Sequence, residues 1–315
     1  MSPATQNGSA YSNIGFVLSA SGHPSVISPE YVGTIVLKHL LKLIATHLNH
    51  NQVNKAVIAV PAKFSSIQRA ATGLAFRDAG LKVIRVLDEP TAAAVAYNLH
   101  KKKDIHHILV YDFGGGTLDV SILYVSQGSV QVYATDGDNF LGGSDFDMCL
   151  FNYIKSKLYK LTEGTVTLDS INATNIPKEN PSSERARVPK LLCDSVSVRE
   201  EAENIKKKLS TINSIHFECV YKSKNGNEEM VSLEVGRVDF EEECAYLFER
   251  GLIPVTRLLS DLDMIGSNID EIVLVGGTTR IPLVKQKLKS FFSKDLNDKI
   301  DPDVTIAYGA SSILT

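Results

Sequence analysis

Val110-Tyr111-Asp112-Phe113-Gly114-Gly115-Gly116-Thr117-Leu118-Asp119-Val120-Ser121 is the stretch whose reading decides the fold. An apolar run delivers an aspartate to its end, and three glycines turn the chain back into a second apolar run. Bare glycine N–H groups at such a turn can approach an anion, and Thr117 adds a hydroxyl donor. Asp112 beside an anion is repelled unless Mg²⁺ and its waters lie between them. From the three glycines alone, a hairpin without a ligand is equally consistent.

Working outward, the neighbours alternate between strand and helix patterns. Upstream, Ser28-Pro29-Glu30 opens a helix: serine caps, proline fits the first position, and glutamate suits the positive end. Val32, Ile35, Val36, Leu40, Leu43 and Ile44 follow at helical spacing. A buried strand is predicted over 56–60, ended by Pro61, then a helix over 66–79, a strand over 81–87 and an alanine-rich helix opening at Glu89-Pro90. Strands follow at 108–111, 118–125 and 129–134. Downstream come a helix over about 144–160, a helix over 197–210, and a hairpin of 215–222 with 229–235. Asn225-Gly226 is read as that hairpin's type I′ turn. A long amphipathic helix over 238–260, a strand over 271–275, a helix over 281–292 and a last helix near Pro302-Asp303 complete the pattern. The alternation predicts an α/β architecture. Residues 161–197, rich in Ser, Thr, Asn and Pro, read as a long mobile loop, and 1–26 as a poorly ordered segment.

With 315 residues and 43% hydrophobic content, the chain is long enough for two lobes. A net charge of −3 gives no sign of a nucleic-acid or anionic-membrane surface, and no run is apolar enough to span a bilayer. The first residues do not have the pattern of a signal peptide, so the chain as given reads as cytoplasmic. Cysteines at 149, 193, 219 and 244 form neither a C-x-x-C nor a metal spacing. They read as reduced, partly buried thiols.

Three further segments could carry chemistry. In Val273-Leu274-Val275-Gly276-Gly277-Thr278-Thr279-Arg280-Ile281-Pro282 a strand ends in two glycines and enters a helix, which is either a tight turn or an anion site. Glu89, at a helix start, either orients a water or satisfies backbone donors. Glu203, Lys206, Lys207 and Ser210 share one helix face, which read alone is ordinary solvated surface.

Taken in order, these segments resemble the nucleotide-binding domain of the 70 kDa heat-shock family. The resemblance rests on Val60-Pro61-Ala62-Lys63-Phe64, Gln68-Arg69, Asp78-Ala79-Gly80-Leu81, Glu89-Pro90-Thr91-Ala92-Ala93-Ala94, the Asp112–Thr117 stretch, Leu141-Gly142-Gly143-Ser144-Asp145-Phe146-Asp147, Val275–Pro282 and Asp301-Pro302-Asp303. It implies an actin-like (ribonuclease H-like) ATPase fold of two lobes that close over ATP or ADP and Mg²⁺. On that pattern residues 27–101 and 298–315 form part of the first lobe's base, and 102–141 with 245–297 the second lobe's base. Residues 142–244 form the second lobe's outer subdomain. Asp112 would hold Mg²⁺ through water; Gly114, Gly115, Gly116 and Thr117 would cradle phosphates; Glu89 would act near the attacking water. Gly142, Gly143, Gly276, Gly277, Thr278, Arg280 and Asp303 would line the nucleotide, with Glu203, Lys206, Lys207 and Ser210 clamping the adenosine. Pro61 and Arg69 match positions that couple nucleotide state to a partner domain. J-domain proteins and nucleotide-exchange factors are the implied partners, with unfolded clients requiring a peptide-binding domain elsewhere.

The departures are specific. Lys207 stands where the family usually has an arginine that packs on adenine, and Ser144 where glutamate is usual. No Asp-x-Gly-Thr-Thr hairpin is found before residue 107, so the chain enters the family pattern about a third of the way in and its first lobe is expected to be incomplete. A nucleotide-sensing module without turnover is therefore the alternative to an ATPase core. The microsomal ATPase-core branch would place the protein in the endoplasmic reticulum, where Asn172-Ala173-Thr174 is a glycosylation sequon.

Overall fold

The computed structural model describes residues 15–20, 23–50, 52–168 and 191–314. Most of the 161–197 stretch expected to be mobile, and the 172–174 sequon, lie outside these residues. So do 1–14 and 21–22 of the N-terminal segment. Within that segment β1 (Phe16–Ala20) and β2 (His23–Ile27) pair antiparallel, where little periodicity was visible.

α1 (Pro29–Leu48) starts as its sequence requires, with Ser28 Oγ accepting the Tyr31 N–H at 3.2 Å. β3 (Lys55–Val60) and β4 (Lys82–Asp88) pair in parallel, joined by α2 (Ser66–Asp78). α3 (Glu89–Ala96) begins directly at the end of β4. The main sheet then forms from β5 (His107–Phe113), β6 (Leu118–Ser126) and β7 (Ser129–Asp138), all antiparallel. β10 (Glu271–Val275) joins its far edge parallel to β5, giving the order β10-β5-β6-β7.

α4 (Gly143–Leu161), α5 (Ser195–Leu209), β8 (Ser214–Lys222) and β9 (Glu228–Gly236) lie between β7 and the helices that return to the sheet. The β8–β9 turn is not type I′. Gly226 alone has positive φ (+80°), and the Ser223 N–H donates to Asn227 O at 2.9 Å. The connection is longer than two residues, so only one position needs the left-handed conformation. The helix predicted over 238–260 is two, α6 (Arg237–Glu243) and α7 (Ala245–Asp261), interrupted at Cys244. α8 (Pro282–Phe292) and α9 (Thr305–Ser311) follow, the latter running into a short 3-10 turn over Ser312–Leu314.

The cysteines are not thiols. Cys149 is bonded to Cys244 and Cys193 to Cys219. The partners sit on separate elements, so spacing along the chain did not show them. α4 packs on α6 and brings Cys149 to the α6–α7 break, while the Leu192–Val220 bridge sets Cys193 beside β8.

The largest core joins the main sheet to α4, α5, α7 and α8, with Phe113, Phe146, Phe240 and Phe248 at its centre. Phe146 meets Phe113, Phe240 and Phe248 at ring separations of 5.9, 6.1 and 4.8 Å. A smaller cluster joins Leu87, Ala92 and Ala310. There α9 crosses α3 so closely that a side chain at Gly309 would overlap the Ala92 carbonyl.

Candidate functional site

The end of β5 and the start of α3, which follows β4, each bring a carboxylate to one cleft. Glu89 is the first residue of α3, and Asp112 is the last but one of β5. Hairpin register places Asp119 of β6 opposite Asp112. All three carboxylates line one cleft, whose other side is the turn after β3, with Pro61 and Lys63.

The electrostatics follow from this crowding. Burial pushes the Asp112 carboxyl up to about 7, with Glu89 and Asp119 adding like-charge repulsion. Burial and then Asp119 raise Glu89. Burial raises Asp119 too, against the lowering fields of Lys63 and the Thr117 hydroxyl. A site built this way favours a cation among its carboxylates. Among the described residues no three carboxylate, imidazole or thiolate groups converge closely enough to ligate a metal directly.

The glycine turn sits one residue beyond Asp112. Its carbonyls are committed to the protein: Gly114 O accepts the Gly143 N–H (3.0 Å) and the Thr278 hydroxyl (2.8 Å), and Gly115 O accepts the Ser144 N–H (2.8 Å). These bonds also satisfy donors in the first turn of α4. The N–H groups of Gly115 and Gly116 meet no acceptor among the described residues, and a Cβ on either would stand in open space. Packing therefore gives no reason for glycine at these two positions, and the bare backbone there leaves room for a close approach. Gly142 and Gly276 differ. A Cβ at Gly142 would collide with Gly115 and Gly116, and one at Gly276 (φ +83°) with the Phe113 carbonyl.

The other expected residues divide into two groups. Thr278 reaches the glycine turn. Gly277 abuts Asp303, and Arg280 pairs with Asp301 and, at 2.9 Å, with Asp303, while the Gly276 N–H donates to Pro302 O. Gly276 packs against the Phe113 carbonyl, which joins this cluster to the end of β5. On α5, Lys206 is buried and occupied with Gly143 O (2.9 Å) and Asp147 (2.7 Å), so it holds α5 to the start of α4. Lys207 points to solvent and pairs with Glu203 at 2.7 Å. Its pairing with Glu203, and then the fields of Asp147 and Asp303, hold its ammonium above the usual lysine range. Ser210 caps α5.

The family model described as Hsp70 protein matches residues 9–187 and 192–314. The chain belongs to the Hsp70 family. It is a mixed α/β nucleotide-binding domain of the chaperone-ATPase type, and Hsp70 family members bind ATP or ADP with Mg²⁺.

Two residues that line the cleft, Asp119 and Lys63, were not among the candidates read from the sequence. Asp119 lies within the opening stretch. The four-residue turn 114–117 makes 113 face 118 and therefore 112 face 119, so strand pairing was the signal. Lys63 had no local signal, because it enters the cleft through the fold. No helix among the described residues is long and apolar enough to cross a membrane.

Proposed function

We propose that this Hsp70 chain binds Mg-ATP and Mg-ADP in the cleft of Glu89, Asp112 and Asp119, and that the complete site hydrolyses ATP in protein folding. The observation that carries this reading is the glycine turn: two N–H groups without acceptors among the described residues, beside three mutually repelling carboxylates. That combination suits a phosphate accompanied by a divalent cation. Asp112 and Asp119 would hold Mg²⁺ through water, and bound Mg²⁺ neutralises phosphate charge. Gly114, Gly115, Gly116 and Thr117 bind phosphate oxygens. Glu89 accepts a proton from water, a role favoured by its raised proton affinity. Gly277, Arg280, Asp303 and Lys207 surround the nucleoside.

The proposed arrangement is actin-like, with 27–101 and 298–315 in one lobe and 102–141 with 245–297 in the other. Contact of α3 with α9 supports the first grouping, and β10 beside β5 the second. Residues 142–244 would be the outer subdomain. Co-chaperones of the J-domain and nucleotide-exchange classes are proposed as partners. The two disulfides support an oxidising compartment, the lumen of the endoplasmic reticulum rather than the cytoplasm.

Thermal unfolding with and without Mg-ADP tests the binding. Wild type should be stabilised and Asp112→Asn should not; equal stabilisation of both would refute the assignment. Single-turnover phosphate release tests hydrolysis separately.

A further inference from the structure

Several cations of the neighbouring elements are engaged by carboxylates of the protein. Arg69 pairs with Asp88, Arg257 with Asp136, Lys206 with Asp147, and Arg280 with Asp301 and Asp303. Lys63 is different. It lines the cleft with Glu89, Asp112 and Asp119, is exposed, and makes no hydrogen bond or ion pair within 4.0 Å among the described residues.

Its root is nevertheless fixed. Arg69 Nε donates to Phe64 O at 3.0 Å and its Nη2 to Ala62 O at 3.1 Å, one carbonyl on each side of Lys63. The Phe64 N–H closes the turn on Pro61 O at 3.0 Å. The same Arg69 grips Asp88, the residue before Glu89. One guanidinium thus sets the Lys63 turn and the Glu89 helix start in a constant relation. The result is an anchored backbone carrying a long, flexible, uncommitted ammonium.

We infer that Lys63 is a phosphate-binding residue of this site, its ammonium contacting the terminal phosphate of a bound nucleoside triphosphate from the side opposite the glycine turn. The inference rests on the nucleotide-binding reading above. Asp119 and Asp136 both lie within the field of Lys63, which orients the charge toward the cleft rather than away from it. A purely structural counter-ion would be found seated on one of those carboxylates, as Arg257 is on Asp136. Lysine suits the task as a mobile point charge that can follow a phosphate. A contact to the last phosphate alone would make the site discriminate triphosphate from diphosphate, because ADP leaves the ammonium without its partner.

Calorimetric titration of the full chain with Mg-ADP and with the Mg complex of a β,γ-imido ATP analogue tests this without relying on turnover. Lys63→Met and Lys63→Gln should each weaken the triphosphate analogue about 10-fold or more, the scale of a charge-assisted hydrogen bond. ADP should weaken by less than about 3-fold, and Lys63→Arg should recover most of the loss. The side chain is exposed, so these variants should melt with the wild type. Unchanged binding of both nucleotides, or equal loss of both, would overturn the role of Lys63 while leaving the nucleotide site standing. A wild type that binds neither nucleotide would overturn the site itself and this inference with it.

Discussion

α1 and α4 are nearly equal in length, 20 and 19 residues, and both carry an apolar stripe at helical spacing. Their fates differ. In α4 the stripe is core: Phe146, Leu150, Ile154 and Leu158 are fully buried beneath the main sheet and α5. In α1 the buried residues are Glu30 and Thr34, while Ile35, Val36, Leu40, Leu43 and Ile44 are exposed. Thr34 is held by the Ala75 carbonyl of α2, so α1 touches its neighbour along a polar edge. The difference teaches that periodicity specifies which face of a helix can be buried. A partner surface decides whether it is.

The comparison is broken most strongly at Phe146. Phe146→Ala removes a ring that meets three others and should cost about 3–5 kcal/mol in chemical denaturation. A loss below about 1 kcal/mol would show that the α4 core is not packed as described. Next is the Cys149–Cys244 bond, which closes a 95-residue separation. Its removal by paired substitution with alanine should cost about 2–4 kcal/mol. Thiol titration of the unfolded wild type should find no free cysteine, and four would return all of them to the reduced state.

The third test lies at the carboxylate cleft. Folded Asp112 holds its proton to about pH 7, whereas the unfolded carboxylate ionises near 3.8. The native state therefore binds more protons over that interval, and this group's contribution to stability falls as pH rises through it. Asp112→Asn should stabilise the nucleotide-free protein by about 4 kcal/mol above pH 7 and hardly at all near pH 4. A benefit that does not grow with pH would mean Asp112 is not buried among like charges. The smallest effect belongs to α1. Leu43→Ser, at a side chain 55% exposed, should change stability by no more than about 0.5 kcal/mol. A cost comparable to that at Phe146 would show that this face is covered in solution.

Much of this was legible in the chain. The Ser28 cap, the strand–glycine–strand stretch around Asp112 and the start of α3 at Glu89 all appear where local chemistry placed them, because each depends on neighbours a few residues away. Lys206 and Lys207 show the boundary. Sequence put both on one helix face, and contact with Gly143 and Asp147 commits one to the interior while the other stays at the surface.

By itself, the sequence determined the alternation of strands and helices, the Ser28 cap, and the glycine turn at Gly114–Gly116. These are short-range consequences of backbone freedom, capping and hydrophobic period. Only the tertiary structure decided that Cys149 meets Cys244, that Glu89, Asp112 and Asp119 share a cleft with Lys63, and that α4 is covered where α1 is bare. Disulfide bonding, charge repulsion and burial all depend on distances between segments far apart in the chain, and no local pattern encodes those distances.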